Sequence, residues 1–266
     1  MNKPVIQVEE LVGGYGNTVI LNNISFNVYE REIFVILGGS GSGKSTLLRH
    51  LIGLEKPMKG KIIIDDTDIA SCDENQMHRI FDKIGVLFQS SALLGSMTVA
   101  ENVALPLVER FRDIPVSVVD NLVNFKLGQV GLEQYRDYLP SELSGGMKKR
   151  AGIARALIKN PKVLFFDEPS AGLDPITSAG LDQLILKLNR MLGVTVVMVT
   201  HELESIYTLA HRVIMVEKGK GIIAEGPPKF LKENSTDPFV KHFFNRQAEE
   251  ILQQHRENLS NGFETN

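Results

Sequence analysis

Cysteine is nearly absent. Cys72 stands alone in 266 residues, so neither an internal disulfide nor a cysteine metal cluster can form, and a reducing compartment fits. An excess of positive charge is also missing. The formal net charge of -3 offers no basic field for neutralising phosphates, so nucleic acid is not an expected partner. No run reaches the ~18–20 apolar residues that cross a bilayer. The longest candidates, residues 33–37 and 194–199, have the length of buried strands. The first five residues lack the apolar stretch of a secretory signal, so service to a membrane is expected to go through another chain. There is no internal repeat and no Pro/Ser-rich linker long enough to divide the chain. What is present is ordinary globular composition, 43% hydrophobic and 23% charged, enough for a sizeable core.

Short apolar runs give the first structural information. Residues 33–37 precede a glycine loop, and residues 45–52 then carry helix formers. Residues 163–166 end at Asp167 and Glu168, and residues 195–199 end at Thr200 and His201. Nearly continuous hydrophobic runs of this length suit strands covered on both faces, as in a parallel α/β sheet. Ligand chemistry in such sheets collects at the carboxyl ends of strands, where all three runs place their polar residues. Residues 5–32 and 60–69 read instead as antiparallel hairpins. Residues 98 to about 160 read as mainly helical, with Thr98 and Ser144 as caps. Asp237-Pro238 suits the start of a last helix carrying Phe239, Phe243, Ile251 and Leu252, before a polar tail from Glu257.

Three motifs carry chemistry. Gly38, Gly39, Ser40, Gly41, Ser42, Gly43, Lys44 and Ser45 satisfy the phosphate-loop pattern between a strand and a helix. Glycines let backbone amides approach phosphates, Lys44 supplies positive charge, and the Ser45 hydroxyl suits Mg²⁺. Asp167 at a strand end is placed to hold Mg²⁺, and the next carboxylate, Glu168, to polarise an attacking water. Ser144, Gly145 and Gly146 open a basic helix, Lys148-Lys149-Arg150. They form either a simple capped start or a second anion site, which one nucleotide would need only if it were shared between two copies.

With these motifs in order, together with Gly172-Leu173-Asp174 and His201, residues 5–230 or so resemble an ATP-binding cassette ATPase, the nucleotide-binding subunit of an ABC transporter. The resemblance implies an α/β P-loop NTPase with a mainly parallel core sheet, an antiparallel β subdomain and an inserted helical subdomain. The ATPase domain would span residues 5–236, with its helical part at about 90–160, and a C-terminal extension would follow at 237–266. It further implies ATP hydrolysis with Mg²⁺ held by Ser45, Gln89 and Asp167. Tyr15 matches the aromatic that stacks on adenine, unless it is merely an edge-strand tyrosine. Thr46 joins the ATP site next to Ser45. Glu168 would be the general base and His201 the switch histidine. Ser144, Gly145 and Gly146 would close on ATP held by a second copy, and Asp174 would couple the two sites.

Met147 stands where glutamine is usual in that signature. It is either a neutral variant or a subfamily mark. Together with residues 88–93 and 102–107 it resembles the ATPases of Mla/Mce-type phospholipid transporters. That resemblance implies an integral-membrane permease, an MCE-type lipid-binding protein reached indirectly, and room for a small STAS-type regulatory subunit. It also implies a place on the cytoplasmic face of a bacterial inner membrane. Residues 91–94 after Gln89 would line a groove for a permease helix, and the extension would either clasp the second copy or fold back on its own core. The alternatives are the ATPase of a small polar solute transporter and a non-transport ABC ATPase transmitting force to a membrane partner.

Overall fold

Alternating burial organises the first hairpin. Strands β1 (Pro4–Tyr15) and β2 (Thr18–Tyr29) pair antiparallel and turn Ile6, Val8, Leu11, Leu21, Ile24, Phe26 and Val28 inward. Strand β4 (Lys59–Ile64) pairs with the other edge of β1, and β5 (Thr67–Asp68) with β4, so the order is β2-β1-β4-β5. The computed structural model describes residues 3–16 and 18–245. The expectations placed on Ile251, Leu252 and the polar tail therefore lie outside the described residues.

The second sheet holds the chemistry. It comprises β3 (Ile33–Leu37), β6 (Ile84–Leu87), β7 (Val163–Asp167), β8 (Thr195–Val199), β9 (Arg212–Glu217) and β10 (Gly221–Gly226), in the order β10-β9-β3-β8-β7-β6. Every neighbouring pair is parallel except β10 with β9. Strand β3 has no exposed side, which explains its unbroken apolar run. Phe34 and Ile36 pack with the first sheet and with Leu47, Leu48 and Leu51 of α1 (Lys44–Leu51), while Ile33, Val35 and Leu37 face the helices of the opposite layer. Phe34 also stacks on Phe26 across the two sheets, with ring centroids 5.3 Å apart.

Helices α3 (Val99–Arg110), α4 (Val116–Val130) and α5 (Gly145–Leu157) form the inserted lobe. Thr98 caps α3 in a reciprocal capping box with Glu101, as its sequence suggests. Asn102, fully buried one turn later, accepts from Leu94 N and donates to the carbonyls of Leu94, Met97 and Thr98, so it ties down the loop entering the lobe. Helix α6 (Pro175–Leu192) follows β7, and α7 (Leu203–Leu209) follows β8.

Helix α2 (Glu74–Lys83), strand β6, the β9–β10 hairpin and helix α8 (Pro228–Asn234) lie beyond the sequence expectations. After α8, helix α9 (Pro238–Asn245) is capped by Asp237, whose Oδ1 accepts from Phe239 N and Val240 N. Val240 and Phe244 of α9 are buried in the core of their own chain, where Phe244 meets Tyr207 of α7.

Candidate functional site

The carboxyl ends of β3, β7 and β8 converge on one polar site. From β3 the chain turns through residues 38–43 into α1. Gly43 at the helix start has φ 99°, and a Cβ there would press on Leu21 and Ile20 at 2.8 and 2.9 Å, so only glycine fits. The Lys44 ammonium is folded into its own loop and donates to the carbonyls of Gly38 and Gly39 at 2.9 Å each. Burial pulls this ammonium below the usual lysine value, while the carboxylates of Glu168 and Asp167 pull it back up. The Ser42 hydroxyl is buried without a hydrogen-bond partner among the described residues. A loop with an unpaired hydroxyl and a cation parked on its carbonyls has the donors an incoming phosphate needs. Tyr15 lies across the start of α1, where Thr46 Oγ1 donates to its hydroxyl at 3.4 Å, and the ring is exposed. A carbon on Gly39 would touch the Phe239 ring of α9 at 3.4 Å, so the C-terminal helix borders the same loop.

Strand β7 delivers Asp167 and Glu168. Burial raises the Asp167 carboxyl above its ordinary value, the adjoining Glu168 adds to that, and Lys149 and Lys44 oppose it. Glu168 holds φ 47°, in the left-handed region that glycine favours, which costs a non-glycine residue on the order of 1–3 kcal/mol. Its amide donates to Val199 O at 2.9 Å, which locks the end of β7 to β8. From the end of β8, His201 Nδ1 lies 2.9 Å from a Glu168 carboxylate oxygen. An ionised carboxylate only accepts, so Nδ1 carries the proton and the outer ring nitrogen faces away.

Hard oxygen donors suit Mg²⁺: the Asp167 carboxylate, the Ser45 hydroxyl and the Gln89 amide oxygen. Among the described residues no cluster of three His, Cys, Asp or Glu side chains could hold a metal ion. The raised Asp167 carboxyl beside Glu168 fits a cation, which would relieve both burial and repulsion.

Ser144 caps α5 by accepting from Met147 N at 3.3 Å, and both it and Gly145 are exposed. Carbons added to Gly145 and Gly146 would meet Leu173 at 3.3 Å and Thr177 at 2.5 Å, so the tip packs on the turn that carries Asp174. The Asp174 carboxylate is occupied locally as the N-cap of α6, accepting from Ile176 N and Thr177 N at 3.0 Å, and the Thr177 hydroxyl bond holds it below the usual carboxylate value. Gln89 follows β6 with an exposed side chain, and its carbonyl accepts from Lys149 Nζ at 2.6 Å. Sequence reasoning passed over Lys149, reading it only as part of the basic helix Lys148-Lys149-Arg150.

It also passed over Asp182 on α6. Ser205 Oγ on α7 donates to Asp182 Oδ2 at 2.8 Å, while Oδ1 is buried with no partner among the described residues. Burial pushes this carboxyl from 3.8 to about 6, against the Ser205 bond, with Glu202 adding to the rise. The folded carboxyl thus keeps its proton to higher pH than the unfolded one. Its contribution to stability is complete below about pH 4 and disappears as pH climbs to about 6, with a total of roughly 3 kcal/mol at most. Asp182→Asn should therefore flatten that segment of the stability profile and gain stability at pH 8, as read by urea unfolding from pH 4 to 8. A variant less stable than wild type at pH 8 would mean that the carboxylate is not the liability.

Comparison with known proteins gives a consistent set of findings. A family model described as ABC transporter matches residues 21–171. The chain is 42% identical over 223 residues to a methionine import ATP-binding protein, MetN 2, of Pseudomonas entomophila, covering 84% of this chain and 66% of that protein. It is 40% identical over 240 residues to a probable ribonucleotide transport ATP-binding protein, mkl, of Mycobacterium bovis, covering 90% of this chain and 66% of that protein. The chain thus spans about two thirds of the length of these relatives. Among solved structures it is similar to the ATP-binding cassette MJ0796 in a dimeric post-hydrolysis state bound to ADP and Pi. There the TM-score is 0.75 and the identity 33%, with 84% of this chain and 98% of that chain covered.

Proposed function

Because the chain belongs to the ABC transporter family, we propose that it is the ATP-hydrolysing subunit of a transporter, acting as a pair of identical copies on a membrane permease. The observation that carries this reading is the Glu168–His201 contact at 2.9 Å beside the loop of Lys44. Bound ATP would take the Lys44 ammonium from the carbonyls of Gly38 and Gly39 to its phosphates, with its base on Tyr15. Glu168 would accept the proton of the attacking water as oxygen bonds to the γ-phosphorus and the bond to the β-phosphate oxygen breaks. His201 would orient that carboxylate through Nδ1–H, and with a second proton on its outer nitrogen it would donate to the γ-phosphate, whose oxygens only accept. Mg²⁺, which Ser45, Gln89 and Asp167 would hold, would neutralise negative charge on the nucleotide.

Ser144 and Gly145 are exposed at the start of α5, where the first amides of a helix have no partner within it, and the relative bound to ADP and Pi is itself dimeric. A second copy would bring this tip to the nucleotide, and Asp174 on the adjoining turn would link the two sites. The test is Mg²⁺-dependent phosphate release by the purified chain, together with sizing in ATP and EDTA. Phosphate release at the no-protein rate, even beside the membrane partners, would end this reading.

For cargo, the phospholipid reading rests on Met147 and on residues 88–93 and 102–107, which match Mla/Mce-type ATPases. It places the protein on the cytoplasmic face of a bacterial inner membrane, under a permease joined to an MCE-type lipid-binding protein, with a STAS-type subunit as a regulator. No helix among the described residues is long and apolar enough to cross a membrane, which agrees with attachment through a permease. A second reading, transport of a small polar solute, is favoured by the names of the relatives. Co-purification with membrane partners followed by lipid extraction separates the two. Bound phospholipid supports the first, and a soluble solute-binding partner supports the second.

The permease would dock near Leu93 and Leu94, the latter exposed, as is Phe88. Leu93→Glu should reduce transport in reconstituted vesicles by ~10-fold or more, because a charge in an apolar contact is costly, while ATP binding stays normal. Unchanged transport would remove this groove from the interface.

A further inference from the structure

Lys149 is only 5% exposed, a rare setting for lysine, and among the described residues no side-chain carboxylate lies at hydrogen-bond distance from its ammonium. It donates instead to two backbone carbonyls, Gln89 O at 2.6 Å and Glu168 O at 3.3 Å. One cation therefore joins the helix that carries Ser144, the loop that carries Gln89, and the left-handed residue at the end of β7. A second cation on the same helix strengthens the first of these ties. Arg155 donates to Ser91 O and Ala92 O at 2.6 Å each, and both residues hold left-handed φ of 61° and 46°. Three carbonyls among residues 89–92 are thus gripped from α5, so loop and helix move together.

Glu168 is the other end of the tie. Its amide is held by Val199 O and its carbonyl by Lys149, so both peptide groups around its φ of 47° are fixed from outside. We propose that Lys149 is a positioning residue which makes the direction of the Glu168 carboxylate depend on the placement of the Gln89 loop and of α5. The inference rests on the reading of Glu168 as the base in ATP hydrolysis. A docked permease that shifts the loop would then alter the base through one side chain. Burial pulls the Lys149 ammonium below the usual lysine value, and the nearby carboxylates of Asp167, Glu168 and Glu202 oppose that pull.

Lys149→Met conserves length and removes the charge. Replacing a buried charge by an apolar isostere is often neutral or stabilising, so a lysine that only fills space predicts an unchanged or higher melting temperature and an unchanged rate. The positioning role predicts a kcat lowered ~10- to 100-fold with KM for ATP within ~3-fold, as expected for a misplaced catalytic group. It also predicts faster amide exchange at residues 88–92 and 167–169 in the nucleotide-free protein. Lys149→Gln, which keeps one donor, gives the same comparison should the methionine variant fail to fold, and its kcat should fall between the two. A kcat equal to wild type, or kcat and ATP affinity falling together with the melting temperature, overturns the proposal. If wild type itself releases no phosphate, the hydrolysis reading is lost. The exchange comparison still decides the tie, since unchanged exchange at 167–169 refutes it.

Discussion

Glu168→Gln should bind ATP and pair with a second copy while its turnover falls ~10²- to 10⁴-fold, the usual contribution of a positioned general base. The substitution keeps the shape of the side chain. An amide oxygen still accepts from His201 Nδ1, now 2.9 Å from the carboxylate, and the left-handed backbone at 168 is unaffected. What disappears is a basic oxygen able to take a proton from water. Binding and chemistry therefore separate: sizing in Mg²⁺-ATP should show a stable dimer, and a single-turnover assay should show ATP remaining intact. Hydrolysis at the wild-type rate would take Glu168 out of the reaction, whatever the loop around Lys44 does.

Lys44→Ala should fail earlier, at binding. In the nucleotide-free chain the ammonium rests on the carbonyls of Gly38 and Gly39, so its loss leaves the loop without its only cation. Hydrogen bonds to charged groups contribute about 1.5–3 kcal/mol each, so ATP affinity should fall at least ~10- to 100-fold. The rate at saturation should fall as well, because negative charge on the transferring group would no longer be met. Titration with a fluorescent ATP analogue, followed by phosphate release at saturating ATP, measures both. Native affinity and rate would rule out the phosphate-loop assignment. The pair of variants is informative together, since one stops before the chemistry and the other within it.

The elements visible in the sequence were those whose signal is local. Gly43 and Lys44 declare a strand-to-helix turn within eight residues, and Ser144 and Thr98 cap their helices with bonds spanning three residues. The two-sided burial of β3 turns directly into its apolar run. Helix α2 was harder, because only Ile80 among its residues is buried. Its clearest sign was the Asp73–Gln76 capping box. The β9–β10 hairpin needs long-range pairing, since β9 lies against β3, with Arg212 opposite Phe34.

Lys149 is the more instructive omission. In a run of three basic residues it looks like solvated surface, but helical phase places it with the buried Gly146 and Ile153. Its partners are carbonyls from distant segments, and no residue pattern announces a backbone acceptor. Asp182 was missed for a related reason: the sequence gives its place on α6, but its burial depends on Ser205 arriving from α7.

The backbone at 168 sets durability against work. Glycine there would relax the turn and is the residue that this φ of 47° favours, yet it abandons the reaction entirely. A heat-resistance screen blind to turnover would thus reward silencing the motor, and any thermostabilised version of this protein has to be improved elsewhere in the chain.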